Sequence, residues 1–321
     1  MGVYFGIVDF AVVSRRWPCS KGVGQPVFER NEAAFTMPSS RALVAAVVAL
    51  LSYVDRSRMR RAHAGLPRYR TYGNPALPPV VLIPGLDGCA SFYAGALPEL
   101  TLERFVVVYE LPLVSAANRD GYTFSYLARG LADALDELDI DAAPVVGESF
   151  GGVVAMHAAL EHETRVTRLL LLSSLAKTEL TTEVWLKKTF ALPVVRVIGR
   201  AFPNVAQTIF AYVHASDVVE ASEPEWVTNF FIKEASWAHH ASVMARLSIV
   251  IPLDITARVV HLRQKTRLVY GADDTFTGAT TDALLALLPD ADKVALPGGH
   301  LPHLTSPKEF ARLVLEFVAG K

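Results

Sequence analysis

Short apolar runs alternating with amphipathic stretches constrain this chain more than any other feature of its sequence. Residues 80–83, 105–109, 144–146 and 169–172 are apolar segments too short for helices, and turn formers such as Pro84-Gly85 end them. Such runs suit strands buried on both faces, which occur where helices cover both sides of a parallel sheet. Between two of them, residues 126–138 place Leu127, Leu131, Ala134, Leu135 and Leu138 three or four apart, the stripe of a crossover helix. The alternation starts near Tyr69, stops after Leu172, and resumes at 267–270 and 293–296 before a closing helix at 307–318. The intervening residues 174–253 read as mainly helical. They carry Trp185, Phe190, Phe202, Phe210, Tyr212, Phe230, Phe231 and Trp237, with Pro193, Pro203 and Pro224 breaking the helices. The expectation is an α/β fold with a mostly parallel central sheet, helices on both faces and a helical cap insertion. Its core falls at 67–173 and 263–321, and the cap at 174–262.

The N-terminal part reads differently. Residues 1–36 show no period and no repeat, which suits a disordered leader or a translation start placed too early, and 37–66 read as a helical segment. Its apolar stretch 42–54 is shorter than the roughly 17–25 residues of a spanning helix. Three readings stay open for it: a helix packed on the domain, a membrane-surface anchor, or a signal core with no small-x-small cleavage site directly after it. Arg56, Arg58, Arg60 and Arg61 fit peripheral membrane contact through 42–61 and fit a solvated helix face equally well. The expected location is cytoplasmic, with membrane association as the variant.

Charge and cysteine content exclude several classes. Against 32 Asp+Glu the chain sets 31 Lys+Arg, a formal net charge of −1, so it has no basic surplus with which to neutralise phosphates, and nucleic acid is not an expected partner. Cys19 and Cys89 form neither a disulfide framework nor a zinc spacing, and Cys89 reads as a buried small hydrophobe. His239-His240 are adjacent, so on a helix they point about 100° apart, and no carboxylate stands at a ligand spacing from both. Neither a metal nor a cofactor is expected.

One motif carries chemistry. Gly147-Glu148-Ser149-Phe150-Gly151 fits G-x-S-x-G, with an expected strand at 144–146 before it and an expected helix at 152–160 after it. A tight strand-to-helix turn forces its central residue into a strained conformation and lifts the side chain above the sheet, while the flanking glycines let backbone approach without a clashing Cβ. Ser149 Oγ would then face a cleft, beside the Phe150 N–H at a helix N-terminus. The plainer reading is a serine that caps the helix. A serine hydroxyl needs a base to become a nucleophile. His300 is the first candidate, because two glycines after a strand end free its loop, and His303 is the second. For the acid, Asp274 follows the strand at 267–270 and fits better than Asp273. Glu148 reads as an inward-facing structural carboxylate.

The order Ser149, Asp274, His300 and the motif context resemble the α/β-hydrolase superfamily over about residues 69–318. Pro84-Gly85-Leu86-Asp87-Gly88 occupies the place of that family's oxyanion turn, with Pro84 where a His is usual. The resemblance implies that the backbone N–H groups of Leu86 and Phe150 hold the oxyanion. The form P-G-L-D-G is similar to the esterase, thioesterase and acyltransferase branch that includes plant phytyl ester synthases. The expected activity is that of a lipase-like serine hydrolase. It would cleave a carboxylic ester or thioester of an apolar acyl group through an acyl-enzyme, the apolar cap suiting the acyl chain. Two alternatives stand beside it: transfer of the acyl group to an alcohol, and a non-catalytic ligand-binding protein on the same fold.

Overall fold

The computed structural model describes residues 68–179 and 192–320. Among them, seven strands form one sheet: β1 (Arg68–Tyr72), β2 (Pro79–Ile83), β3 (Phe105–Glu110), β4 (Ala143–Glu148), β5 (Val166–Leu172), β6 (Lys265–Gly271) and β7 (Ala291–Leu296). Their spatial order is β1-β3-β2-β4-β5-β6-β7. The edge strand β1 runs antiparallel to β3 and every other neighbouring pair is parallel, so the chain has the expected α/β architecture. The helices, in chain order, are α1 (Leu97–Glu103), α2 (Phe124–Glu137), α3 (Phe150–Glu161), α4 (Leu192–Ala201), α5 (Pro203–Val218), α6 (Glu225–Ser236), α7 (His240–Val250), α8 (Thr256–Val259), α9 (Gly278–Leu287), α10 (Pro302–Thr305) and α11 (Pro307–Val318).

Burial follows from the two-residue period of a strand. In β2, Val81 and Ile83 enter one apolar cluster with Leu127, Leu131 and Leu135 of α2 and Val153 and Val154 of α3. Val80 and Leu82 enter the other, with Phe310, Val314 and Phe317 of α11. Both faces of the sheet are therefore covered, which is why these strands read as unbroken apolar runs. The crossover helix α2 starts two residues before the stripe, because the Thr123 hydroxyl accepts a hydrogen bond from the Tyr126 N–H and caps it there.

Two boundaries shift in a way that matters. Strand β4 runs through Glu148 instead of stopping at Val146, and α3 begins at Phe150 instead of Gly152. Ser149 alone connects them. The helices α4–α7 lie between β5 and β6, and an antiparallel bridge between Lys177 and Asp254 joins the two connections at their base. Phe92 stacks on Phe231 with ring centroids 5.5 Å apart and packs against Phe230 at 6.0 Å, docking these helices on the core. Their aromatics do not all face inward: Phe231 is buried, whereas Tyr212 and Trp237 are 58% and 73% exposed.

Several expectations lie outside the described residues: the leader at 1–36, the helical segment at 37–66 with membrane contact through 42–61, and Cys19, Trp185 and Phe190. No helix among the described residues is long and apolar enough to cross a membrane.

Candidate active site

Ser149 has φ 49° and ψ −113°, a conformation that costs a residue with a Cβ about 1–3 kcal/mol and persists only when its surroundings over-determine it. Those surroundings are specific. The Ser149 N–H donates to Leu172 O at 2.8 Å, and its carbonyl accepts from Gly152 N at 3.0 Å and from Ser174 Oγ at 2.9 Å. A Cβ on Gly147 would lie 2.5 Å from Gly151 O, and one on Gly151 would lie 2.4 Å from Ile83 O and 2.5 Å from Pro84 O. Only glycine fits either place, and Gly151 brings the serine turn against the chain entering Leu86. The Ser149 side chain makes no capping hydrogen bond to α3, so the helix-cap reading fails.

The strands β4, β6 and β7 are parallel, so Ser149, Asp274 and His300 all leave the same edge of the sheet. A Cβ on Gly271 would lie 1.9 Å from Gly299 O, which brings the loop after β6 against the loop after β7. There, His300 Nδ1 is 3.2 Å from Asp274 Oδ2, with both side chains buried. Asp274 Oδ1 accepts from the N–H groups of Phe276 at 3.0 Å and Thr277 at 2.9 Å, and the Thr277 hydroxyl donates to Oδ2. Burial alone would raise the Asp274 pKa. The hydrogen bond and charge of His300, with the Thr277 hydroxyl and N–H, outweigh it and hold the carboxyl at about 2. An ionised carboxylate is thus fixed beside an imidazole nitrogen. Phe276 meets the His300 ring edge-on at 5.1 Å.

The other candidates separate clearly. His303 is fully buried between the rings of Tyr93 and Phe310, its Nε2 3.4 Å from Glu148 Oε2, so it is a core residue and not a second base. Asp273 is exposed, and Glu148 is inward-facing as expected, packed under Gly85. Cys89, expected as a buried small hydrophobe, is half-buried, and its thiol pKa is pushed up, first by the burial it has and then by Asp87 and other carboxylates. His239 pairs with Ser242 Oγ at 2.8 Å, and the buried His240 pairs with Gln207 Oε1 at 3.3 Å.

Residues 85–88 form a turn closed by Gly88 N–H donating to Gly85 O at 3.0 Å, with Gly88 at φ +72°. Leu86 occupies its second position, where the N–H takes no part in the turn's own hydrogen bond. Phe150 is the first residue of α3, where the N–H has no intrahelical acceptor. Asp87, the third residue of the turn, is buried. Burial pushes its pKa up, the charge of Arg246 opposes this and Glu148 adds to it, leaving the carboxyl at about 7. Thr277 was not among the expected site residues, and its signal is the Asp-x-x-Thr spacing of a side chain closing its own turn. Nor were Arg246, Glu220 and Glu223, for which the sequence holds no local signal.

A strained serine as the sole link from strand to helix and a His–Asp pair on the same sheet edge, on a mostly parallel sheet interrupted by helices, define the α/β-hydrolase class. A model of the Alpha/beta hydrolase family matches residues 80–313, and the chain belongs to that family as a hydrolase. It is 26% identical over 268 residues to RutD of Caulobacter vibrioides, provisionally named a carbamate hydrolase, covering 78% of this chain and 95% of the relative. Among solved structures, the enol-lactonase from Burkholderia xenovorans is similar with a TM-score of 0.68 at 20% identity, over 79% of this chain and 96% of that one. A thermophilic esterase from Thermogutta terrifontis is similar with a TM-score of 0.66 at 20% identity, over 79% and 93%. At such identities the structural likeness establishes the fold.

Proposed function

We propose that the protein is a serine hydrolase that cleaves a carboxylic ester or thioester of an apolar acyl group through an acyl-enzyme. The observation that carries this reading is the left-handed backbone of Ser149, whose hydroxyl is not spent on capping α3. Strain of that kind is retained where function uses it. Ser149 Oγ attacks the acyl carbon while His300 takes the proton. Asp274, held ionised and bonded to Nδ1, keeps that nitrogen protonated, leaves Nε2 as the base and stabilises the imidazolium. The N–H groups of Leu86 and Phe150 receive the oxyanion, His300 returns the proton to the leaving group, and water repeats the sequence to release the acid.

The names of the relatives support a carbonyl electrophile, since a carbamate, an enol-lactone and an ester share one. The P-G-L-D-G turn supports the esterase and thioesterase branch. An apolar acyl group is supported by the residues about the base: Phe276 against His300, and Leu301 in one cluster with Phe92 and Phe231. The test is turnover on p-nitrophenyl esters and acyl thioesters of graded chain length. Wild type is expected to prefer medium or long chains, and Ser149→Ala to lose about 10³-fold or more in kcat. Full turnover by Ser149→Ala on the best substrate would refute the mechanism. A preference for acetyl over all longer chains would refute the substrate class.

A further inference from the structure

Resting on that reading of Ser149, Asp274 and His300, we infer that the cap does more than cover the site: Arg246, Glu220 and Glu223 are positioning residues that hold the three loops carrying the oxyanion turn, the acid and the base. Arg246 belongs to α7 and is buried. Its Nη1 donates to Leu86 O at 2.9 Å, Nη2 to Leu111 O at 3.2 Å and Nε to the Tyr122 hydroxyl at 3.3 Å. A buried guanidinium is costly to place and needs its donors satisfied. Here two are satisfied by carbonyls, one of them in the oxyanion turn. A Cβ on Gly88 would lie 2.8 Å from Arg246 Nη1, so the guanidinium rests against the turn itself.

The connection between α5 and α6 grips the other two loops. Glu220 Oε1 accepts from the Thr275 N–H at 2.9 Å and its hydroxyl at 2.8 Å, one residue beyond Asp274. Glu223 Oε1 accepts from the Gly299 N–H at 3.0 Å, one residue before His300. Glu223 Oε2 accepts from the Glu220 backbone N–H at 3.0 Å, and the Glu223 N–H donates to Glu220 O at 3.0 Å, which closes the two residues into one turn. Each grip falls on a site residue or on its immediate neighbour, and each comes from the insertion, whose described residues contribute no strand to the sheet. A displacement of about 1 Å at a reacting group can cost about 10²-fold in rate, so contacts that fix these loops bear directly on turnover.

The experiment compares Glu223→Ala, Glu223→Gln, Arg246→Met and Arg246→Lys in the full chain. It reads kcat and KM on the best p-nitrophenyl ester, and inhibition by the matching trifluoromethyl ketone, whose hemiketal oxygen occupies the oxyanion position. Glu223→Ala and Arg246→Met are expected to lower kcat about tenfold or more with KM within about threefold, and Arg246→Met to weaken the ketone by a similar factor. Glu223→Gln keeps one acceptor, for the Gly299 N–H, but sets its amide NH2 against the Glu220 N–H, so it is expected to fall between Glu223→Ala and wild type, as Arg246→Lys is expected to fall between Arg246→Met and wild type. Values of kcat within about twofold of wild type for both truncations, or losses confined to KM with ketone affinity intact, would overturn the inference. If Arg246→Met does not fold, Arg246→Lys and the Glu223 pair decide it by the same criteria. Wild type that a fluorophosphonate fails to label sinks the proposed function, whereas labelled wild type with unaffected variants sinks this inference alone.

Discussion

Ser149 sets stability against chemistry within one residue. Its φ of 49° strains any side chain with a Cβ, and glycine is free of that strain. Ser149→Gly is therefore expected to remove hydrolase activity and raise stability by about 1 kcal/mol, which is roughly 2–4 °C in thermal midpoint for a domain of this size. A lower midpoint would mean that the conformation is not strained. The candidate serine, histidine and acid stand out in the sequence because each follows a strand end close to a turn-forming glycine. The choice between His300 and His303 is less legible there. They are three residues apart in sequence, and what separates them is the contact of His300 with Asp274 and the packing of Tyr93 and Phe310 around His303 in α10.

At the scale of elements, the site depends on backbone meeting backbone. Gly151 is the contact between the serine turn and the chain entering the oxyanion turn, and neither Ile83 O nor Pro84 O can move aside cheaply. Gly151→Ala is expected to cost about 1–3 kcal/mol and to lower kcat, because it pushes the two donor peptides apart. Gly278→Ala, with nothing within 4 Å of the added methyl, is the matched control and should be neutral or slightly stabilising in urea titration. Equal behaviour of the two would refute the close-approach argument. The core strands could be read because burial on both faces leaves a local mark. The edge strand β1 (RYRTY) pairs on one side only and keeps polar residues, so no apolar run announced it. The grips of the cap left no mark at all, since Arg246 and Leu86 are 160 positions apart. In sequence, Arg246 is indistinguishable from a solvated helix charge.

For the whole molecule, two buried carboxyls give opposite pH dependences of stability. Asp274, at about 2 when folded against an ordinary 3.8, contributes stability that is present above pH 3.8 and lost as pH falls toward 2. Asp87, at about 7 when folded, binds its proton more tightly in the folded state, so its contribution is complete below pH 3.8 and declines as pH rises toward 7. Asp87→Asn should flatten the fall in thermal midpoint between pH 4 and about 7, with the difference from wild type growing across that window. A constant difference would show that Asp87 does not titrate there. The most direct measurement at this scale is covalent: incubation of the folded chain with a fluorophosphonate, followed by mass-spectrometric mapping of the adduct. The expected result is one adduct on Ser149, absent in Ser149→Ala and formed about 10²-fold or more slowly in His300→Ala. No adduct on folded protein, or an adduct on another residue with Ser149 untouched, would contradict the assignment of Ser149 as the nucleophile.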